Sequence, residues 1–273
     1  MMKLRVLTAL PLALTVAWLI WQSSQWLFLL ALVVTVEHGL YEFFNISRQA
    51  GFKVFPKVGY VAGGALCLAQ MAELRRPGSF VLAVLLLTFL LTLWLALHLT
   101  EDLKQYLGAA ATTVFGVLYV AFTLCWLVPL RFSEPLTGRN LVFLLFIVIW
   151  AGDIFAYLGG RIFGRTPLFV RVSPKKTVEG AVAGFTGSMA VAWVFTRWVW
   201  RAADLETTMV LAGLIAAAGQ LGDLAESALK RGADLKDSGT LLPGHGGLLD
   251  RIDSLLFGTP ILWLAVTFKE LFK

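Results

Sequence analysis

Residues 79–98 read SFVLAVLLLTFLLTLWLALH. The stretch holds no Asp, Glu, Lys or Arg, and about 20 apolar residues in a helix span the roughly 30 Å hydrocarbon core of a bilayer. The alternation of apolar and polar positions that a membrane β-barrel strand requires is missing. In lipid, a helix is then the conformation that lets such a segment satisfy its own backbone.

Similar runs recur on both sides of this one. They fall at Val6–Trp21, at Trp26–Val36 after a tight turn at Ser23-Ser24, and at about 58–74, 107–129, 140–158, 180–197, 207–222 and 254–268. The composition agrees: of 273 residues 58% are hydrophobic and 15% charged, where soluble proteins carry about 25% charge, and mean hydropathy is +0.78. A water-soluble globular domain is excluded. The expected fold class is all-α, a polytopic integral membrane protein of about nine transmembrane helices. It is read as a single membrane domain, 1–273, with a variable N-terminal half at 1–139 and a catalytic C-terminal half at 140–273.

Lys3 and Arg5 ahead of the first apolar run imitate a signal peptide, but no small-residue cleavage site precedes the second run, so the segment reads as retained. The net charge of +6 does not point to nucleic acid, because the basic residues lie in short pieces between apolar runs. That placement serves topology and anionic lipid. On the nine-span reading, 15 of the 23 Lys and Arg fall on the side of the N-terminus. This predicts an N-terminus in the cytoplasm and a C-terminus outside, in the cytoplasmic (inner) membrane. Cys67 and Cys125 both sit within apolar runs and read as small buried hydrophobes.

The two longest polar stretches, about 159–179 and 223–253, fall on the predicted cytoplasmic side, and chemistry is expected there. In GQLGDLAESALKR, from Gly219, a continuing helix places Asp223, Glu226, Ser227 and Lys230 on one face, with Arg231 beside them. Such a face cannot meet lipid. After the breakers Asp237-Ser238-Gly239 comes PGHGGLLDRID, residues 243–253, whose glycines around His245 free the backbone to turn N–H groups toward an anion. Asp250 and Asp253 are one turn apart at the start of the last apolar helix. Carboxylates suit Mg²⁺, which takes one or two of them plus substrate phosphates, and Lys and Arg hold the remaining phosphate charge. Asp223, Asp250 and Asp253 with Lys230 and Arg231 therefore read as a metal-assisted phosphoryl or nucleotidyl transfer site. Helix capping would account for any one of these charges, but not economically for all of them within so short a segment.

In the other stretch, Asp153 and Tyr157 share a face near the end of an apolar helix. The block SPKKTVEG, residues 173–180, offers Ser173 or Thr177 as a helix cap, with Lys175 and Lys176 where a helix N-terminus favours phosphate. For Arg161, Arg165 and Arg171, positive-inside topology is explanation enough.

These motifs resemble those of the bacterial phosphatidate cytidylyltransferases, also called CDP-diacylglycerol synthases. The likeness rests on Ser227-Ala-Leu-Lys230-Arg231, Lys236-Asp237, residues 243–253, the Asp153 segment and residues 173–180, and covers about 140–260. One departure is Val178 with Ala183-Gly184, where the family often has an aromatic residue and a double glycine. The resemblance implies condensation of CTP with phosphatidic acid into CDP-diacylglycerol and pyrophosphate, the lipid phosphate attacking the α-phosphorus with no protein nucleophile. It implies Asp223, Ser227, Lys230, Arg231, Asp250 and Asp253 as the catalytic set, with Mg²⁺ on Asp223, Asp250 and Asp253 and a second cation, K⁺ being the candidate, near Ser227. For CTP and phosphate binding it implies Ser173, Lys175, Lys176, Asp153, His245 and Gly246. The expected partners are CTP, phosphatidic acid and membrane lipids, with a homodimer left open. The rival readings are a CTP-dependent polyprenol or phytol kinase and an ion-coupled transporter; a transporter usually duplicates its halves, whereas here the charges concentrate in one.

Overall fold

The computed structural model describes residues 2–241 and 246–268. Helix α1 is Met2–Gln22, α2 Gln25–Gln49, α3 Pro56–Arg75 and α4 Phe80–Leu99. The helical run α5, Leu103–Phe132, is interrupted by a π-helical turn at Val117–Phe122. Then come α6 Pro135–Phe163, a hairpin of β1 Pro167–Phe169 and β2 Ser173–Thr177, α7 Val178–Trp198, α8 Leu205–Gly232 and α9 Leu249–Thr267. Among the described residues six helices are long and apolar enough to cross a membrane: α2, α4, α5, α6, α7 and α8. The protein is thus a multi-pass, predominantly helical membrane protein. Six helices meet the criterion where nine spans are expected: α3 mixes Gly59, Gly63, Gly64 and Gln70 into its length, α9 opens on Asp250, Arg251 and Asp253, and of α1 the stretch Pro11–Gln22 counts only as a shorter apolar helix.

The chain divides into two compact units. One comprises Met1–Pro135 with Leu229–Arg251, the other Leu136–Ala228 with Ile252–Lys273.

In the first unit α2 is the organising element. Val36, Leu40, Phe43 and Phe44 are buried, and glycines let the neighbours approach them: the Phe44 ring occupies the place a side chain on Gly59 would need, and a Cβ on Gly116 would lie 2.7 Å from the Phe43 ring. Helix α4 buries Val81, Thr88, Thr92 and Ala96 and packs Leu93 and Leu95 against Phe55, Val58 and Ala109, while Leu82, Leu86, Leu87, Leu90 and Leu97 face outward as a lipid-facing helix requires. Inside this apolar body Thr88 and Thr92 donate to carbonyls one turn back at 2.7 and 2.6 Å, and the buried Arg131 Nε reaches across to donate to Ile20 O at 2.7 Å. Cys67 and Cys125 are buried and free, as apolar positions predict.

In the second unit α6 and α7 cross through glycines, the kind of contact small residues permit between membrane helices. A Cβ on Gly184 would lie 2.8 Å from Gly152 O, and one on Gly159 would collide with Ala183. Ser188 Oγ donates to Val148 O at 2.7 Å and Gln220 Nε2 to Ala181 O at 2.9 Å, tying α7 to α6 and α8 to α7. Helix α8 meets α9 at Gly222, where a Cβ would stand 2.5 Å from Asp253 O. Gly222→Val is therefore expected to destabilise the detergent-solubilised protein by about 1–3 kcal/mol, the usual cost of overpacking. An unchanged melting temperature would show that α8 and α9 do not touch there.

Candidate active site

In the second unit the SPKKT block forms β2, paired antiparallel with β1, and runs straight into α7, so that Lys175 and Lys176 stand on a strand rather than in the first turn of a helix. Thr177 then caps α7, its side chain accepting from Gly180 N at 3.2 Å, and Glu179 accepts from Arg165 N and Thr166 N at 3.1 and 3.2 Å, closing the hairpin. Because successive strand residues point to opposite faces, the two lysines part company. Lys175 is exposed, while Lys176 forms an ion pair with Asp223 of α8. Ser173 is partly buried on the same strand, and Ser227 lies one turn beyond Asp223.

Asp253, partly buried at the start of α9, has Asp223, Glu226 and Asp153 as charged neighbours. Four carboxylates from three helices thus share one region, and Glu226 is fully buried within it. Among the described residues, no group of three or more His, Cys, Asp or Glu is spaced to chelate an ion by itself. The donors nevertheless suit Mg²⁺, which completes its shell with water and substrate phosphate rather than an all-protein cage.

The first unit holds the end of α8 and the start of α9. Helix α8 ends at Gly232, and the turn after it passes through Asp234, whose φ of 56° lies in the left-handed region, while Leu235 N donates to Lys230 O at 2.8 Å. The Lys230 side chain turns to Asp250 and pairs with its Oδ1. Oδ2 of Asp250 accepts from Ser238 N at 2.9 Å and Gly247 N at 2.8 Å. Burial opposes ionisation of Asp250, but Lys230 and these two N–H groups outweigh it and hold the carboxyl below the usual carboxylate range. Arg231 donates to Leu235 O at 3.0 Å. Gly246 adopts φ 82°, and a Cβ there would come within 2.5 Å of Asp250 Oδ2. His245 lies outside the described residues. The N–H groups that follow Gly246 are given to carboxylates of the chain itself.

One of those carboxylates is absent from the sequence reading. Glu42 of α2 is 2% exposed and accepts from Ser238 Oγ at 2.8 Å, Leu248 N at 2.9 Å and Leu249 N at 2.7 Å. His38 Nε2 lies 3.3 Å from it. A cleft of about 500 Å³ opens beside this contact, lined by Tyr41, Asn45, Arg48 and Gln49 of α2 and by Ser238–Leu241. The signal was present: an acid deep in an apolar helix is a functional hypothesis by default.

Sequence comparison covers both groups of residues. The model of the cytidylyltransferase family matches residues 3–269. A phosphatidate cytidylyltransferase of Brucella abortus (strain 2308) is 34% identical over 266 residues, spanning 96% of this chain and 92% of that protein. One from Synechocystis sp. is 34% identical, with 88% of each chain covered, and the chloroplastic phosphatidate cytidylyltransferase 5 of Arabidopsis thaliana is 30% identical over 93% of this chain and 69% of its own. The resemblance first carried by residues 140–260 thus extends through the N-terminal helices that supply Glu42, and the chain belongs to the cytidylyltransferase family.

Proposed function

We infer that this chain condenses CTP with phosphatidic acid to give CDP-diacylglycerol and pyrophosphate. The observation that carries this reading is the family match running the length of the chain, through both lysine–aspartate pairs. A phosphate oxygen of phosphatidate attacks the α-phosphorus of CTP, the bond from that phosphorus to the bridging oxygen breaks, and pyrophosphate leaves. The attacking phosphate is already anionic near neutral pH, so the chain need supply neither a nucleophile nor a strong base. Its task is to bring two anionic substrates together and neutralise the charge that builds as they react.

Lys230 and Arg231 hold phosphate oxygens, and Lys175 and Lys176, with Ser173 beside them, steer the nucleotide. Asp223 and Asp253, with Asp153 and Glu226 around them, would hold Mg²⁺; the assignment of Asp250 to the same ion, of K⁺ to the neighbourhood of Ser227 and of His245 and Gly246 to the nucleotide rests on the sequence motif. When bound, Mg²⁺ offsets the charge of the triphosphate and of the leaving pyrophosphate. Nine crossings with the N-terminus in the cytoplasm would put these groups on the inner face of the inner membrane. There a lipid and a soluble nucleotide are both within reach.

The kinase reading differs in its products. Purified protein given CTP, phosphatidic acid and Mg²⁺ is expected to release one pyrophosphate per lipid consumed. Release of CDP in its place would replace this function with phosphorylation of an alcohol.

A further inference from the structure

We propose that Glu42 is a positioning residue that aims Asp250 through Ser238, a proposal that rests on the reading of Asp250 as part of the transfer site. A carboxylate 2% exposed in a membrane helix is costly unless its oxygens are matched by donors. Apart from His38 on its own helix, Glu42 is matched by groups of one segment, the one carrying Asp250. Ser238 gives its hydroxyl proton to Glu42, which fixes the rotor and leaves an oxygen lone pair to accept from Asp250 N at 3.3 Å. The backbone N–H of the same serine goes to Asp250 Oδ2. Ser238 therefore grips Asp250 at both its main chain and its carboxylate, and Glu42 sets the orientation of that grip.

A second route runs through the helix itself. Leu248 and Leu249 carry N–H groups at the start of α9 that no intrahelical carbonyl can take, and Glu42 accepts both. Asp250 is the second residue of that helix. The loop is built around the contact: a Cβ on Gly239 would stand 2.5 Å from Glu42 Oε1, and one on Gly247 would overlap Glu42 and Ser238 Oγ. Any side chain at either position would push Glu42 off the segment it holds.

Glu42→Gln replaces one acceptor oxygen by an NH₂ that faces N–H donors. It is expected to lower kcat about 20-fold or more while the KM for CTP stays within about threefold, since the interaction lost serves geometry rather than ground-state binding. Ser238→Ala, which leaves both backbone bonds to Glu42, is expected to lower kcat about fivefold. Because both act through one path, the double variant should fall no more than about twofold below Glu42→Gln. The same cycle between Glu42→Gln and Asp250→Asn, read as the melting temperature of protein without substrate or metal, should be equally non-additive. Losses that multiply in kcat, or an additive melting cycle, would overturn the proposal. Should Glu42→Gln fail to fold, Ser238→Ala decides alone: turnover within about twofold of the parent overturns it. Inactive Asp250→Asn beside normal Glu42→Gln and Ser238→Ala would sink the positioning role only. Full activity of Asp250→Asn would remove Asp250 from the transfer site.

Discussion

Asp250→Asn is expected to lower turnover of CTP and phosphatidate by more than about 10²-fold, the scale of losing a principal electrostatic group. Three donors converge on this carboxylate: the Lys230 ammonium on one oxygen, and Ser238 N–H and Gly247 N–H on the other. An asparagine has one acceptor atom where the aspartate has two. Whichever way the amide turns, its NH₂ meets either the ammonium or the two N–H groups, and the negative charge that holds Lys230 is gone. Lys230, 12% exposed, then loses its ion pair with Asp250. The assay is steady-state turnover in detergent, checked against gel-filtration behaviour. Near-parental turnover in a folded variant would mean that the Lys230–Asp250 pair only staples α8 to α9.

Asp223→Asn carries the second large expected effect, with a different signature. Turnover should again fall by more than about 10²-fold, but stability should change by less than about 1 kcal/mol. The Lys176–Asp223 pair is roughly one-third exposed on both sides, and pairs of that kind contribute little to folding. Removing one of four neighbouring carboxylates also relieves repulsion around Asp253. Activity and melting temperature measured on one sample separate the alternatives. Collapse of both together would mark Asp223 as a structural residue, and retention of both would take it out of the site.

The membrane character and the long helices were legible in the sequence because charge-free runs such as 79–98 leave the chain no other solvent. The pairing of Lys230 with Asp250 was half legible: the residues were named, but their meeting depends on the turn at Asp234 and the course of the loop, which no local pattern encodes. Glu42 was missed because falling hydropathy after Val36 reads as the end of a span. The helix continues to Gln49, since the charge of Glu42 is absorbed by donors some 200 residues further along the chain. In the SPKKT block, Pro174 and two lysines hide a short strand whose alternation sends Lys176 to Asp223 and Lys175 outward. The cap at Thr177 was readable from residue type alone; the hairpin before it required the partner strand.

Transfer of the cytidylyl group itself to a phospholipid is the reaction expected of this chain. Its most direct test is to incubate the purified protein with phosphatidic acid, Mg²⁺ and CTP labelled at the α-phosphorus, then extract the lipid. Label is expected in the lipid fraction with α-labelled CTP and absent from it with γ-labelled CTP. Lipid that stays unlabelled from α-labelled CTP, in protein shown to be folded and to bind CTP, would contradict the claim.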